Sequence, residues 1–355
     1  MNRPPSARRR IALAAVAAGA MAAVIGAAHG ALAWGASGHR IIGQAAMLAL
    51  PADLPAFLRT RAAVQDVGEL AREPDRSKGG GKPHDADSDP GHFVDLTEDG
   101  HVFTAAGPSV DALPGDRLAF SEALTKADVS LFKAGWLPYT LMDGEQQLAR
   151  DFALWRTVAA LAKNPKVPAR ERAWYAQDQA LRERITIRDL GVWAHYVGDA
   201  SQPLHASIHY NGWGKDYPNP QGYTLDPIHG PFEDEFVYTN VTLKGVQAVL
   251  PAPADCGATI QACTSAYLRS TLREVEPLYG LWKAGAFSTV GDGRGRAFAT
   301  ARVAAGAAML RDLVVRAWRE SGEAEVGYRP AYKVRDVEAG QAIPFSVLYG
   351  EGPLG

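Results

Sequence analysis

The sequence is poor in cysteine, in strand-like alternation and in surplus positive charge, and it contains no internal repeat. Its two cysteines, Cys256 and Cys263, stand close together in a proline-rich stretch. In an exported chain they are expected to pair as a small-loop disulfide; the alternative is two buried thiols, and neither makes cysteine a catalytic group. The scarcity of period-two alternation excludes a sheet-based fold and leaves a mainly α architecture. A formal net charge of −2 gives the chain as a whole no long-range pull on a polyanion, although bound divalent cations would change that locally.

The chain opens on an address. Arg3, Arg8, Arg9 and Arg10 precede an alanine-rich apolar stretch from Ile11 to Ala28, and Ala31-Leu32-Ala33 is a small-residue cleavage pattern. The stretch is nearly long enough to anchor in a bilayer. Its low bulk and the cleavage pattern favour a signal peptide over residues 1–33, exported by the general or the twin-arginine route. Cleavage before Trp34 would leave 322 of the 355 residues, secreted or periplasmic. It would also remove four arginines and no acid, moving the charge from −2 to −6.

Helical periodicity dominates the chain beyond Trp34. Leu148, Phe152, Trp155, Ala159 and Ala162 share one face, as do Val303, Leu310, Leu313, Val314 and Ala317. Further helices are expected at about 38–49, 121–134, 171–200, 229–239 and 266–283. Two long loops are expected, from Glu73 to Gly91 and from Tyr210 to Pro227, the second carrying Tyr210, Trp213, Tyr217 and Tyr223. This predicts one compact helical domain over 34–321 and an irregular tail over 322–355, packed on the domain or trailing it.

His195 and Asp199 are four residues apart on a helical stretch, which puts imidazole and carboxylate on one face. Pro203 then bends the chain and lets His205 return to the same space, and His229 and Glu233 repeat the spacing. Imidazole and carboxylate suit zinc outside thiolate sites. Spacing alone, however, does not separate a metal site from a buried polar network.

The segment from His195 to His205 resembles the core motif of the superfamily joining the single-strand nucleases of the S-one/P-one type and the bacterial zinc-dependent phospholipases C. The resemblance runs from Trp34 to about Val237. It implies a single compact multi-helix domain of that type. In that family the mature chain begins at a tryptophan whose amine and carbonyl bind a metal, and the cleavage pattern puts Trp34 there. His39 comes next, at the spacing of the nuclease branch. The resemblance implies three zinc ions. One takes His195, Asp199, His92 and Asp75; a second, bridged by Asp199, takes Trp34 and His39; a third takes His205, His229 and Glu233. Asp75 is chosen over Asp66, Asp85, Asp87 and Asp89 because Lys78 stands three residues after it, as a basic residue does in the nucleases. The segment from His92 to Asp95 matches the family's histidine segment, which makes Phe93 and Asp95 substrate-binding residues, with Phe93 as ordinary core the alternative. Glu233 and the run from Pro203 to Ser207 agree instead with the phospholipase branch.

The resemblance thus implies a zinc-dependent phosphoric ester hydrolase, an endonuclease acting on RNA and single-stranded DNA through a metal-bound hydroxide. Asp75 and Asp199 would organise the metals and Lys78, or Arg76, would steady the phosphate. A phospholipase C acting on phosphatidylcholine-like lipids, with the aromatic loop as a cage, is the alternative, and an inactive metal-binding homologue is a third. No obligate protein partner is implied. His84, His101 and His209 are expected to face solvent, and the His84-Asp85 dipeptide, found also in HD-type phosphohydrolases, is attributed to chance.

Overall fold

Helices carry nearly all the regular structure of residues 34–288 and 292–350, the residues described by the computed structural model. The signal peptide expected over residues 1–33 lies outside them. The longer helices are α1 (Gly35–Leu48), α2 (Arg61–Leu70), α3 (Arg117–Lys126), α4 (Leu137–Lys163), α5 (Ala169–Asp199), α6 (Ile260–Leu272), α7 (Val275–Lys283) and α8 (Gly293–Glu323). Local chemistry starts them where the sequence allows. Thr60, Asp116 and Thr259 accept from the backbone N–H of Ala63, Ala119 and Ala262 at the first turns of α2, α3 and α6. Each such cap is worth about 1 kcal/mol.

The two central helices, α4 and α5, lie against each other; α8 packs on both, α1 packs on α5 and α8, and α2 packs on α1 and α5. The apolar faces read from the sequence meet here: Leu148 and Phe152 of α4, and Val303, Leu310, Leu313, Val314 and Ala317 of α8, are all buried. Among the described residues no helix is long and apolar enough to cross a membrane. Cys256 and Cys263 form the expected disulfide, with an S–S distance of 2.04 Å. Cys263 is not in a loop, however, but in the first turn of α6.

Several local expectations change. Residues 73–91 are not one loop but short helices, Glu73–Ser77 and Lys82–Ser88, followed by a tight turn at Asp89–His92. Pro74, Pro83 and Pro90 sit at first-turn positions, where a missing N–H costs nothing and a fixed φ helps. Gly79 and Gly81, with φ of 83° and 132°, separate the first two. The helix expected over 121–134 breaks at Asp128, whose φ is 56°, and that over 266–283 divides into α6 and α7. Residues 325–349, expected as an irregular tail, contain a small hairpin pairing Glu325 with Lys333 and two short helices, Val334–Glu338 and Phe345–Tyr349. They form a second apolar cluster with Val158, Leu161 and Tyr175.

Candidate metal centre

The centre is built on the last turn of α5. A helix leaves its final carbonyls without intrahelical partners, and here buried side chains from distant parts of the chain satisfy them. Tyr267 Oη donates to the carbonyl of Val197 (2.8 Å), Thr271 Oγ1 to that of Ala200 (2.6 Å), and Arg302 Nε to that of Ser201 (3.0 Å). The indole N–H of Trp34 donates to the Gly198 carbonyl (2.8 Å) and to Ser201 Oγ (2.9 Å). The turn that carries Asp199 is therefore held from three other elements of the fold.

Around that turn the eight side chains singled out as ligands fall into three groups: His39, His195 and Asp199; Asp75, His92 and His195; and His205, His229 and Glu233. Within each group the candidate ligand atoms lie within 4.8 Å of one another, so any of the groups could hold a metal ion. His195 belongs to two of them. The two oxygens of Asp199 diverge, Oδ1 lying 3.4 Å from His39 Nε2 and Oδ2 3.4 Å from His195 Nε2. Asp75 Oδ1 lies 3.8 Å from His92 Nε2 and 3.7 Å from His195 Nε2. In the third group Glu233 Oε2 is 2.8 Å from His229 Nε2 and 3.6 Å from His205 Nε2.

The backbone sets the tautomers. His195 Nδ1 donates to the Ala71 carbonyl, His205 Nδ1 to the His92 carbonyl, and His92 Nδ1 to the carbonyls of Ser88 and Asp89. A carbonyl can only accept, so each Nδ1 carries the proton and each Nε2 is left as a lone pair pointing inward. Burial, followed by neighbouring imidazoles or Lys78, holds these rings neutral: His39 and His195 lie well below the ordinary range and His92 is lowered to about 3. Asp199 is pushed up, by burial first and then by Asp75. Burial pushes Glu233 up too, but the adjacent His229 is the largest opposing influence and the carboxyl ends lowered, at about 2.

In the first two groups lone pairs facing carboxylates cannot hydrogen-bond to one another, whereas in the third His229 Nε2 lies within hydrogen-bond distance of His205 Nε2 (3.0 Å) and of Glu233 Oε2 (2.8 Å). Both ring nitrogens of His39, both oxygens of Asp199, Nε2 of His92 and of His195, Nδ1 of His229 and Oε1 of Glu233 are buried without a partner. Buried polar atoms are almost always paired, and each exception costs about 1–3 kcal/mol. Such a concentration of unpaired polar atoms in one place fits a site that could hold metal ions, for which imidazole nitrogen and carboxylate oxygen are suitable donors.

The remaining sequence-derived residues fall around these groups. Lys78 Nζ meets Asp75 Oδ1 at 2.6 Å, whereas Arg76 pairs with Glu73 at the surface. Of the competing aspartates, Asp66 and Asp87 are exposed, Asp85 bonds the exposed His84 and the Gly79 N–H, and Asp89 joins none of the three groups. Phe93 is half-buried, and Asp95 is buried and pushed well up by that burial. Trp34 supplies no side-chain ligand. Its indole anchors the last turn of α5, and its carbonyl accepts from the Gly38 N–H at 3.1 Å.

His209 is a correction. It is buried, not solvent-facing, stacked on Trp213 at 3.8 Å with Nε2 on Glu98 Oε1 at 2.8 Å. In the loop from Tyr210 to Pro227, Trp213, Tyr217 and Tyr223 fold inward onto that ring and onto Tyr279. Sequence reasoning also missed Gln202. This fully buried amide accepts from the Leu204 N–H at 2.7 Å and donates to Glu233 Oε2 at 3.0 Å, fixing which way the carboxylate faces. Only its place directly before the Pro203–His205 turn marks it, and periodicity is silent there.

Comparison with protein-family models, with curated proteins and with solved structures finds no match to this chain.

Proposed function

We infer that the mature protein, cut before Trp34 and exported, is a three-zinc phosphodiesterase that hydrolyses RNA and single-stranded DNA, with the helical fold of the single-strand nuclease and phospholipase C type. The observation that carries this reading is the convergence of three buried ligand groups, two of them sharing His195 and linked through the diverging oxygens of Asp199. One group would use Asp75, His92, His195 and Asp199, the next His39, Asp199 and the terminal amine of Trp34, and the third His205, His229 and Glu233. When bound, the ions would supply Lewis-acid charge at the phosphoryl oxygens and acidify water.

The chain's own residues do the rest. The backbone bonds to Nδ1 of His92, His195 and His205 fix the inward lone pairs before any ligand arrives. Lys78, beside Asp75, brings a positive charge to the edge of the groups and suits a non-bridging phosphate oxygen. Phe93 and Asp95 are assigned to a base, with the ring as stacking face. A lipid substrate is less well served. Trp213, Tyr217 and Tyr223, the expected cage for a quaternary ammonium, pack on His209 and on one another, and of that set Tyr210 alone is exposed.

The test pairs elemental analysis with parallel assays on single-stranded DNA and phosphatidylcholine. About three zinc ions per chain and chelator-sensitive hydrolysis of the nucleic acid are expected. Faster turnover of the lipid would transfer the assignment to the phospholipase branch. Full metal content with neither activity would leave a metal-binding protein without catalysis.

A further inference from the structure

Next to the ligand groups, the short helix before Gly91 and the facing side of α4 enclose a cavity of about 470 Å³, within the usual range of small-molecule clefts, roughly 300–1,000 Å³. Trp136, Tyr139 and Tyr196 line it. Tyr196 is the wall it shares with the candidate metal centre, because its ring meets the imidazoles of His92 and His195 edge-on at 5.0 and 5.3 Å. Trp136 is tied to the same segment, its backbone N–H donating to the Pro90 carbonyl at 2.8 Å.

The polar lining is unevenly used. Asp116 caps α3 through the Ala119 N–H. Asp87 and Asp143 also line the cavity, are exposed, and have no hydrogen-bond or ion-pair partner among the described residues. The single cation of the lining, Arg117, lies with its guanidinium 5.0 Å from the centre of the Trp136 ring.

A lining with three aromatic rings favours a flat π-ligand, which can stack with little dependence on its identity. Free carboxylates add a condition, since they only accept and so need N–H donors on the ligand's edge. A lipid chain offers none, and uracil or thymine turns mainly carbonyl oxygens outward. A base with an exocyclic amine meets both conditions, and Arg117 at the rim suits the phosphate that accompanies it. We propose that this cavity is a second base subsite, holding the amino-bearing base of a nucleotide that flanks the scissile phosphodiester. It rests on the nuclease reading and gives that reading a base preference: cytosine, adenine or guanine over uracil or thymine.

The experiment compares kcat/KM on oligo(dC) and oligo(dT) for the zinc-loaded mature protein, the double variant Asp87→Asn/Asp143→Asn, and the exposed control Asp53→Asn. It also measures dCMP and dTMP binding by calorimetry, which needs no turnover. Wild type and control should favour oligo(dC). The double variant should lose about tenfold of that preference, mainly through KM, the order of one lost base-edge contact, with a parallel loss in dCMP binding. An unaltered preference and unaltered dCMP affinity in an active double variant would overturn the subsite and leave the nuclease reading standing. Absence of hydrolysis with dCMP binding lost in the double variant would sink the nuclease reading and keep the subsite. Phosphocholine binding more tightly than dCMP, and weakened by the same double variant, would replace the base by a cationic head group and overturn the proposal.

Discussion

His92 offers a quantitative check on whether the inward-facing imidazoles are as neutral as their surroundings require. Burial lowers its pKa from 6.5 to about 3. Below pH 6.5 the unfolded chain therefore binds a proton at this ring that the folded metal-free chain does not. The stability His92 contributes is fully present above pH 6.5 and is lost as pH falls toward 3. Between pH 7.5 and pH 5.0 the loss amounts to about 2 kcal/mol for this one ring. His92→Asn removes the titration and keeps a side chain able to donate to the carbonyls of Ser88 and Asp89. Urea unfolding of chelated wild type and chelated variant at the two pH values measures the difference. The variant should lose about 2 kcal/mol less on acidification. Equal losses in the two proteins would refute the assignment of a neutral, desolvated His92.

Other outcomes test the ligand geometry. Protein starting at Trp34 should bind one more zinc than protein carrying an added N-terminal alanine and should be far more active, because a peptide nitrogen has no lone pair to offer; equal metal content and turnover would remove Trp34 from the site. Asp199→Ala should cost more zinc and more turnover than Glu233→Ala, since the oxygens of Asp199 face His39 and His195, and His195 is shared by two groups, whereas the imidazoles beside Glu233 belong to one group alone. Elemental analysis of both variants checks this. Gln202→Leu deprives Glu233 Oε2 of its donor and should weaken one zinc by about 10- to 100-fold, measured by chelator competition, and equal weakening of all three ions would indicate general loosening. Replacing Cys256 and Cys263 by serine should lower unfolding stability by about 2 kcal/mol with little change in kcat, because the bridge closes a short loop.

The candidate ligands were legible in the sequence because the side chains concerned are few in type and stand at helical spacing. His195 with Asp199 and His229 with Glu233 are readable as pairs, and Pro203 accounts for the return of His205. What joins the pairs was not readable. The meeting of Asp75 with His92 and His195 depends on how the short helices of residues 73–92 fold back on α5, and their prolines read equally well as loop punctuation. His209 was misplaced for a related reason: its neighbours Tyr210 and Asn211 are polar, and its burial comes from Trp213, Tyr217 and Tyr279 closing over it. The helix boundaries near Asp128, and between α6 and α7, failed because one residue of unusual backbone conformation or one turn leaves no mark on an apolar pattern.

The closing of the last turn of α5 also has a kinetic consequence. The body of the helix is local and can form early, but its final carbonyls find their donors on residues 34, 267, 271 and 302. Contacts of such long sequence separation form late, after most of the loop-closure entropy has been met. The turn bearing Asp199 should therefore be among the last parts of the chain to set, behind the helices that surround it. Weakening it, as by Thr271→Val or Tyr267→Phe, should accelerate unfolding far more than it slows folding. Completion of the candidate groups around Asp199 would then come at the end of folding, when both ends of the domain have arrived, so that their assembly marks the completed native state.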